Sequence, residues 1–319
     1  MMLNYFLVFT ILLALATLYF LLAKKFNIVD RPNHRSSHTE VTVRGGGIIF
    51  PIAIILWWLI NDFLHTWMVI GMVWIAAISL MDDLFTLSRK LRFGVQFLAL
   101  TMAFYDLGLF YQQPYWSLPI LYFIALGIIN AINFMDGING ITGLYSLTFF
   151  GTILVVNHYM PLFEESIIQY LILSIFVFLV FNFRKKALMF AGDIGSISIA
   201  YMMIYFLVQW YLAGQHWTII LLLLVYGADS FLTLGQRLLR GENVALPHRS
   251  HLYQLMVNQL KWQHIFVSLG YAIIQFALNY LLFIKPQSYP TSIIASLTLV
   301  ITALVYLSVK RPIQKKFNC

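Results

Sequence analysis

A single cysteine, Cys319, stands in a chain of 319 residues. It excludes an intramolecular disulfide and any zinc site built from several thiolates. Charge is scarce as well: 10% of residues are Asp, Glu, Lys or Arg, against roughly 25% in soluble domains. Glycine (18) and proline (9) are too few for a fibrous or disordered chain. No internal repeat, P-loop, dinucleotide fingerprint or nucleophile elbow is present. The longest segment between apolar runs is only 235–263. Any chemistry must therefore be carried by short loops and helix ends.

What the chain has in abundance is apolar length, with 61% hydrophobic residues. The runs are approximately 4–23, 46–60, 67–81, 93–109, 116–129, 141–157, 167–182, 194–213, 216–234, 264–284 and 290–309. Several are slightly short of the usual ~20 residues, and polar helix ends extend them. The pattern predicts an all-α, polytopic integral membrane protein, a single membrane-embedded domain over 1–319. It has about 11 transmembrane helices, or 10, since only Gly214-Gln215-His216 divides the eighth run from the ninth. With the N-terminus outside and the C-terminus in the cytoplasm, every one of the 20 Lys and Arg residues except Lys285 falls inside, and Glu164 and Glu165 fall outside. The net charge of +8 is then a matter of topology and anionic headgroups, and nucleic acid is not an expected partner. The first run lacks a basic region and a cleavage pattern, so it reads as a retained span.

Against that background, Asn130-Ala131-Ile132-Asn133-Phe134-Met135-Asp136-Gly137-Ile138-Asn139-Gly140 stands out. Asn130, Asn133 and Asp136 are three apart and share roughly 60° of one helical face. Lipid disfavours such a face, so it lines a polar cleft or the interface, or forms a polar turn between spans. Three other cytoplasmic connections carry related content. The first holds Arg35, His38 and Arg44 ahead of Gly45-Gly46-Gly47, cations suited to phosphate or to lipid headgroups. The next holds Asp82-Asp83, adjacent carboxylates whose repulsion a divalent cation or a shared proton would offset, or Arg89, Lys90 and Arg92 would neutralise. The third presents Asp193 in Phe190-Ala191-Gly192-Asp193-Ile194-Gly195-Ser196, where metal or phosphate work competes with helix capping. The last loop has Asp229 and Ser230 before it, then His248-Arg249-Ser250-His251. Two histidines are too few for zinc, and Arg249 between them favours an anion. Asp106 has no comparable company, and His65, His158 and His216 are external bystanders. The last two spans show no polar signal, and Lys310, Arg311, Lys315 and Lys316 form a tail that fixes topology.

Asp82, Asp83, Asp136 and Asp193 beside basic loops could hold Mg²⁺ and a phosphorylated substrate together. Their place at the headgroup plane points to a lipid as one substrate. An ion-coupled transporter is the alternative class, but it would set carboxylates near the bilayer middle on broken, repeated helices.

Taken in order, the motifs resemble the polyprenyl-phosphate N-acetylhexosamine-1-phosphate transferases. These bacterial enzymes start O-antigen and other surface-polysaccharide lipid intermediates, and they are related to the phospho-muramyl-pentapeptide translocase. The resemblance covers essentially the whole chain. It rests on Asp30/Pro32/Asn33/Arg35/His38 with Arg44-Gly45-Gly46, and on Asp82-Asp83 with Leu87-Ser88 and Arg92. It rests further on Asn130/Asn133/Asp136-Gly137, on Asn182 with Phe190/Gly192-Asp193/Gly195-Ser196, and on Asp229 with Arg237/Arg240-Gly241. It implies that undecaprenyl phosphate attacks the β-phosphorus of a UDP-N-acetylamino sugar, giving undecaprenyl-diphospho-sugar and UMP with Mg²⁺, for which Mn²⁺ could substitute. By the same resemblance Asp82, Asp83, Asp136 and Asp193 are catalytic, with Asp193, Asp82 and Asp83 toward the metal. Substrate contacts fall to Arg35, His38, Arg44, Lys90, Arg92, Asn130, Asn133, Asn139, Asn182, Phe190 (stacking on uracil), His248, Arg249 and His251. The implied location is the bacterial cytoplasmic (inner) membrane, and a homodimer is compatible with the family.

The departures are specific. Asn139 stands where relatives usually have Asp, and it is expected to face the nucleotide with an amide in place of a carboxylate. Lys186 and Leu188 replace a frequent Pro and Lys, and Gln236 replaces the first of two arginines. The translocase's consecutive histidines are absent, so transfer from a UDP-sugar is expected in place of the muramyl-pentapeptide reaction.

Overall fold

The computed structural model describes residues 2–32, 37, 40–85, 87–244, 248–284 and 291–317. Thirteen α-helices follow one another: α1 (Met2–Lys25), α2 (Ile49–Ile60), α3 (Thr66–Phe85), α4 (Arg89–Asp106), α5 (Leu109–Gln112), α6 (Leu118–Met135) and α7 (Ile141–Tyr159), then α8 (Glu165–Asn182), α9 (Gly192–Gly214), α10 (Leu224–Leu239), α11 (Leu252–Asn258), α12 (His264–Asn279) and α13 (Ser292–Phe317). Each of the eleven apolar runs is largely helical among the described residues. Among the described residues, nine helices are long and apolar enough to cross a membrane by length and composition. The other two apolar runs fall short for visible reasons. Gly46–Ile60 is shorter, and α4 begins Arg89-Lys90-Leu91-Arg92 and ends on Asp106. One small departure from an all-helical chain is an antiparallel ribbon of β1 (Val29–Asp30) and β2 (Thr42–Val43).

Local chemistry sets the helix ends. Ser88 caps α4 by accepting from the Leu91 N–H (3.3 Å). The chain leaves α9 through Gln215 at φ 55°, which keeps α9 apart from the 3₁₀ turn Trp217–Leu223 leading into α10. Helix α9 is the axle of the bundle, packed against α2, α3, α6 and α7. About 72% of its span is buried, against 11% of α13 at the periphery.

Inside the bundle, many buried polar side chains are paired, as a waterless interior favours. Helix α12 carries several of them. The Tyr145 hydroxyl donates to Gln275 Oε1 (2.7 Å), and the Gln275 amide donates to Leu221 O (2.9 Å) and Asn279 Oδ1 (2.7 Å). Tyr306 and Lys310 of α13 are likewise buried. The expectation of two final spans without a polar signal is therefore corrected, and Lys310, read as part of a topology-fixing tail, belongs to the buried polar groups. Lys310 has no exposed surface and donates to Thr233 Oγ1 (2.5 Å).

The connections alternate between two ends of the bundle. One end gathers the Trp57–Ser166 (2.7 Å) and Gln113–Gln215 (3.0 Å) hydrogen bonds. It also holds Asp106, which proves to have company: it accepts from Tyr205 (2.8 Å) and meets His65 Nδ1 (2.7 Å). The other end gathers the four connections that carry the aspartates singled out in the sequence.

Candidate active site

The glycine triplet explains how that end is assembled. Phe190 N–H donates to Val43 O (2.8 Å), Gly46 N–H to Phe190 O (2.8 Å) and Gly47 N–H to Ala191 O (3.0 Å). The loop after β2 is thus stitched along the segment that opens α9. A Cβ on Gly47 would lie 2.2 Å from the Gly195 Cα, so no side chain fits there. Gly192, at φ +72°, then turns the chain into α9 and delivers Asp193 in its first turn.

Asp83 holds that turn from α3. Its carboxylate accepts from the N–H groups of Asp193 (3.0 Å) and Ile194 (3.1 Å) and pairs with Arg44 Nε (2.7 Å), with its side chain fully buried. A carboxylate on the first N–H groups of a helix suits both the unpaired donors and the helix dipole. Asp82 accepts from Leu87 N–H (2.6 Å) and pairs with Arg92 Nη1 (2.6 Å). Asp193 receives the longer reach of both cations, Arg44 at 3.6 Å and Arg92 at 3.5 Å, and accepts from the Asn133 amide (3.2 Å). Arg92 Nε is buried without a partner.

Arg44, Arg92, Asn133 and Asp193 border a cavity of about 840 Å³. Of the residues singled out in the sequence, Arg44, Arg92, Asn130, Asn133, Asp136, Asn182, Phe190, Asp193, His248 and His251 line it. Asp82, Asp83, Lys90, Asn139 and Arg249 do not, and Arg35 and His38 lie outside the described residues. Asp136 accepts from the Thr142 hydroxyl (2.5 Å). Burial pushes its carboxyl up to about 6, against the pull of that hydrogen bond and with help from Asp193. Burial, then the neighbouring His251, Arg237 and Lys310, push His248 down to about 4, so its ring is neutral at pH 7. Asn182 touches the cavity, but its amide is spent inward, accepting from Gly140 N–H (2.6 Å) and donating to Met189 O (2.8 Å).

Asn139 corrects the reading of a nucleotide-facing amide. It is 3% exposed, and its Nδ2 donates to the carbonyls of Arg184 (2.8 Å) and Lys185 (3.2 Å). The side chain clamps two loops behind the cavity. An amide suits this place because a carboxylate has no hydrogen to give two carbonyls.

Sequence reasoning passed over Asp229 as a site residue. It is completely buried, and its carboxylate accepts from Tyr271 (2.6 Å), Tyr306 (2.8 Å) and the Leu252 N–H (3.0 Å), and meets His251 Nδ1 at 3.2 Å. A carboxylate inside an apolar run was the available signal.

No three His, Cys, Asp or Glu side chains form a ready metal cage among the described residues. The donor chemistry nevertheless fits Mg²⁺, which prefers oxygen, keeps waters and needs only one or two carboxylates beside a substrate's phosphates. Asp193 on the cavity wall and Asp82 near it supply such oxygens. Asp83 is a poorer ligand, because its oxygens already serve two backbone N–H groups and Arg44.

Comparison with known proteins agrees with this geometry. The model of glycosyl transferase family 4 matches residues 65–211, a stretch holding Asp82, Asp83, Asp136 and Asp193. The chain is 26% identical over 259 residues to a probable undecaprenyl-phosphate N-acetylglucosaminyl 1-phosphate transferase of Bacillus subtilis (strain 168), covering 74% of this chain and 71% of that protein. It is 27% identical over 265 residues to the undecaprenyl-phosphate alpha-N-acetylglucosaminyl 1-phosphate transferase of Escherichia coli (strain K12), covering 74% and 70%. With the protein of that name from Salmonella typhi it shares 28% over 278 residues, covering 76% and 73%. Over about three quarters of its length the chain is thus similar to undecaprenyl-phosphate sugar 1-phosphate transferases. The similarity supports enzymatic activity of this general membrane-transferase class. Arg44, His248 and His251 lie outside the matched stretch, and only the tertiary structure joins them to it.

Proposed function

We propose that the protein transfers an N-acetylamino-sugar 1-phosphate from a UDP-sugar to undecaprenyl phosphate at the cytoplasmic face of the bacterial inner membrane, releasing UMP, as the first membrane step of O-antigen or a related surface polysaccharide. The observation that carries this reading is the convergence of Arg44, Arg92, Asp193 and Asn133 on one cavity at the ends of membrane-length helices. Two arginines held by carboxylates, one with an unpartnered Nε, form a cradle for a diphosphate. Phe190 on the cavity wall offers a face for the uracil ring, and Phe93 and Phe134, both lining the cavity and more than half exposed to the surroundings, border a path for the lipid tail.

The acceptor's phosphate oxygen attacks the sugar-bearing phosphorus, and the bond to the UMP oxygen breaks. Asp193, with Asp82 beside it, would hold Mg²⁺, which when bound neutralises the diphosphate and its leaving group. Arg44 and Arg92 orient the phosphates. Asp83 fixes the α9 turn that presents Asp193. No strong base is required, since a phosphate monoester is largely ionised near pH 7.

The deciding assay incubates membranes containing the protein with a panel of radiolabelled UDP-sugars and undecaprenyl phosphate. UMP and a lipid-linked product are expected only with Mg²⁺ and both substrates present. Coupled solute flux in liposomes without UMP release would make the protein a transporter. Turnover of UDP-muramyl-pentapeptide as fast as every UDP-sugar would place it with the translocases. The orientation is tested by cysteine labelling, with positions 164 and 249 expected on opposite sides.

A further inference from the structure

Two facts about His251 pull in different directions. The ring is 4% exposed at its side chain, yet it lines the cavity. Its Nδ1 is held by Asp229, while its Nε2 is buried without a partner. A buried imidazole nitrogen left unpaired is unfavourable, so the site is incomplete until something reaches it.

Asp229 settles which nitrogen that is. Its carboxylate receives two tyrosine hydroxyls and the N–H groups of Leu252 (3.0 Å) and Tyr253 (3.4 Å), all of them donors, so every hydrogen in the contact comes from the surrounding groups. An ionised carboxylate has no hydrogen to give, so the Asp229 contact calls for a proton on His251 Nδ1, in competition with the Gln254 backbone N–H that the α11 capping box directs at the same side chain. Lys310, buried on α13, reaches the same cluster through Thr233. Nε2 is then a buried, unpartnered lone pair on a residue that lines the cavity.

We infer that Asp229 is a positioning residue that holds His251 in its Nδ1–H tautomer, so that Nε2 accepts a hydrogen bond from a hydroxyl or amide N–H of the sugar donor. This rests on the proposed transferase reading for its ligand, though not for the tautomer. Neighbouring groups fit the assignment: neutral His248 packs beside the ring (centroids 4.8 Å apart), and the Tyr253 ring stacks on it (5.8 Å). The pair also links α13 to the cavity, because Tyr306 and His251 share one carboxylate oxygen.

The test has two arms on the full chain in lipid bilayers. In the first, ¹⁵N-histidine solid-state NMR reads ring protonation at pH 7, with His251 identified by the signal missing in His251→Gln. Nδ1 protonated and Nε2 bare is expected. Asp229→Asn, whose amide donates, should flip the tautomer, and Tyr306→Phe, which spares the carboxylate, should not. A bare Nδ1, a doubly protonated ring, or no change in Asp229→Asn overturns the inference. In the second arm, Asp229→Asn and His251→Gln each raise donor KM about tenfold, the size of one hydrogen bond, with kcat little changed. The double variant should be no worse than His251→Gln alone. Effects that multiply, or a lowered Tm with unchanged KM, would assign Asp229 a structural role only. If the wild type turns over no donor, the transferase reading fails and the NMR arm still decides the dyad.

Discussion

The two ends of the bundle use the same residue types to opposite effect. At one, Asp106 takes the Tyr205 hydroxyl and His65, whose ring stacks on Trp57 (centroids 6.2 Å apart). Asp106, Tyr205 and His65 pair with one another, and none of these residues lines the large cavity. At the other, Asp82, Asp83 and Asp193 share two arginines, Arg92 Nε stays unpartnered, and Asp193 and both arginines border about 840 Å³ of space. A closed cluster is a structural device. An open one with an unpartnered donor is what a binding site requires, and the sequence alone showed an aspartate near a helix end in both places.

The widest separation between the ends should come from paired neutral substitutions. Asp193→Asn should lower kcat by about 10³-fold across a Mg²⁺ titration, since charge stabilisation at the transferring phosphate is lost. Asp106→Asn should leave kcat nearly unchanged and lower stability by about 1–3 kcal/mol, read as Tm in detergent. Equal kinetic effects from the two would dissolve the contrast.

Asn139→Asp probes the region just behind the cavity. The new carboxylate would face two carbonyl oxygens it cannot bond. A loss of about 2 kcal/mol is expected, without a selective change in donor KM. A variant of full stability with altered KM would return Asn139 to the nucleotide.

The smallest effect is in pH dependence. Asp136 has its folded value raised to about 6 from an unfolded 3.8. The folded state therefore holds that proton more tightly, and this contribution to stability falls as pH rises from about 4 to about 6. His248 has the opposite sign. Lowered to about 4 from 6.5, it contributes stability that is present above pH 6.5 and lost as pH falls toward 4. Asp136→Asn should steepen the gain in stability from pH 4 to 6, and His248→Gln should flatten it, as measured by chemical denaturation.

The helical runs, the clustering of basic residues and the aspartates beside glycine turns were legible because hydropathy and turn chemistry act locally along the chain. The division of labour within the site was not. Asp82 and Asp83 are neighbours, yet one pairs with Arg92 and the other caps α9, more than a hundred residues away. Asn139 and Asp136 sit three apart, yet one clamps loops and the other meets the cavity.

The sequence by itself determined that this is a polytopic helical membrane protein with its aspartates gathered at helix ends, because lipid admits only long apolar helices and confines carboxylates to places where they can be paired. Only the tertiary structure decided which of those groups face the cavity, which hold the backbone, and that a buried Asp229 reaches His251. Those roles depend on hydrogen bonds between residues far apart in the chain, whose directions no local pattern encodes.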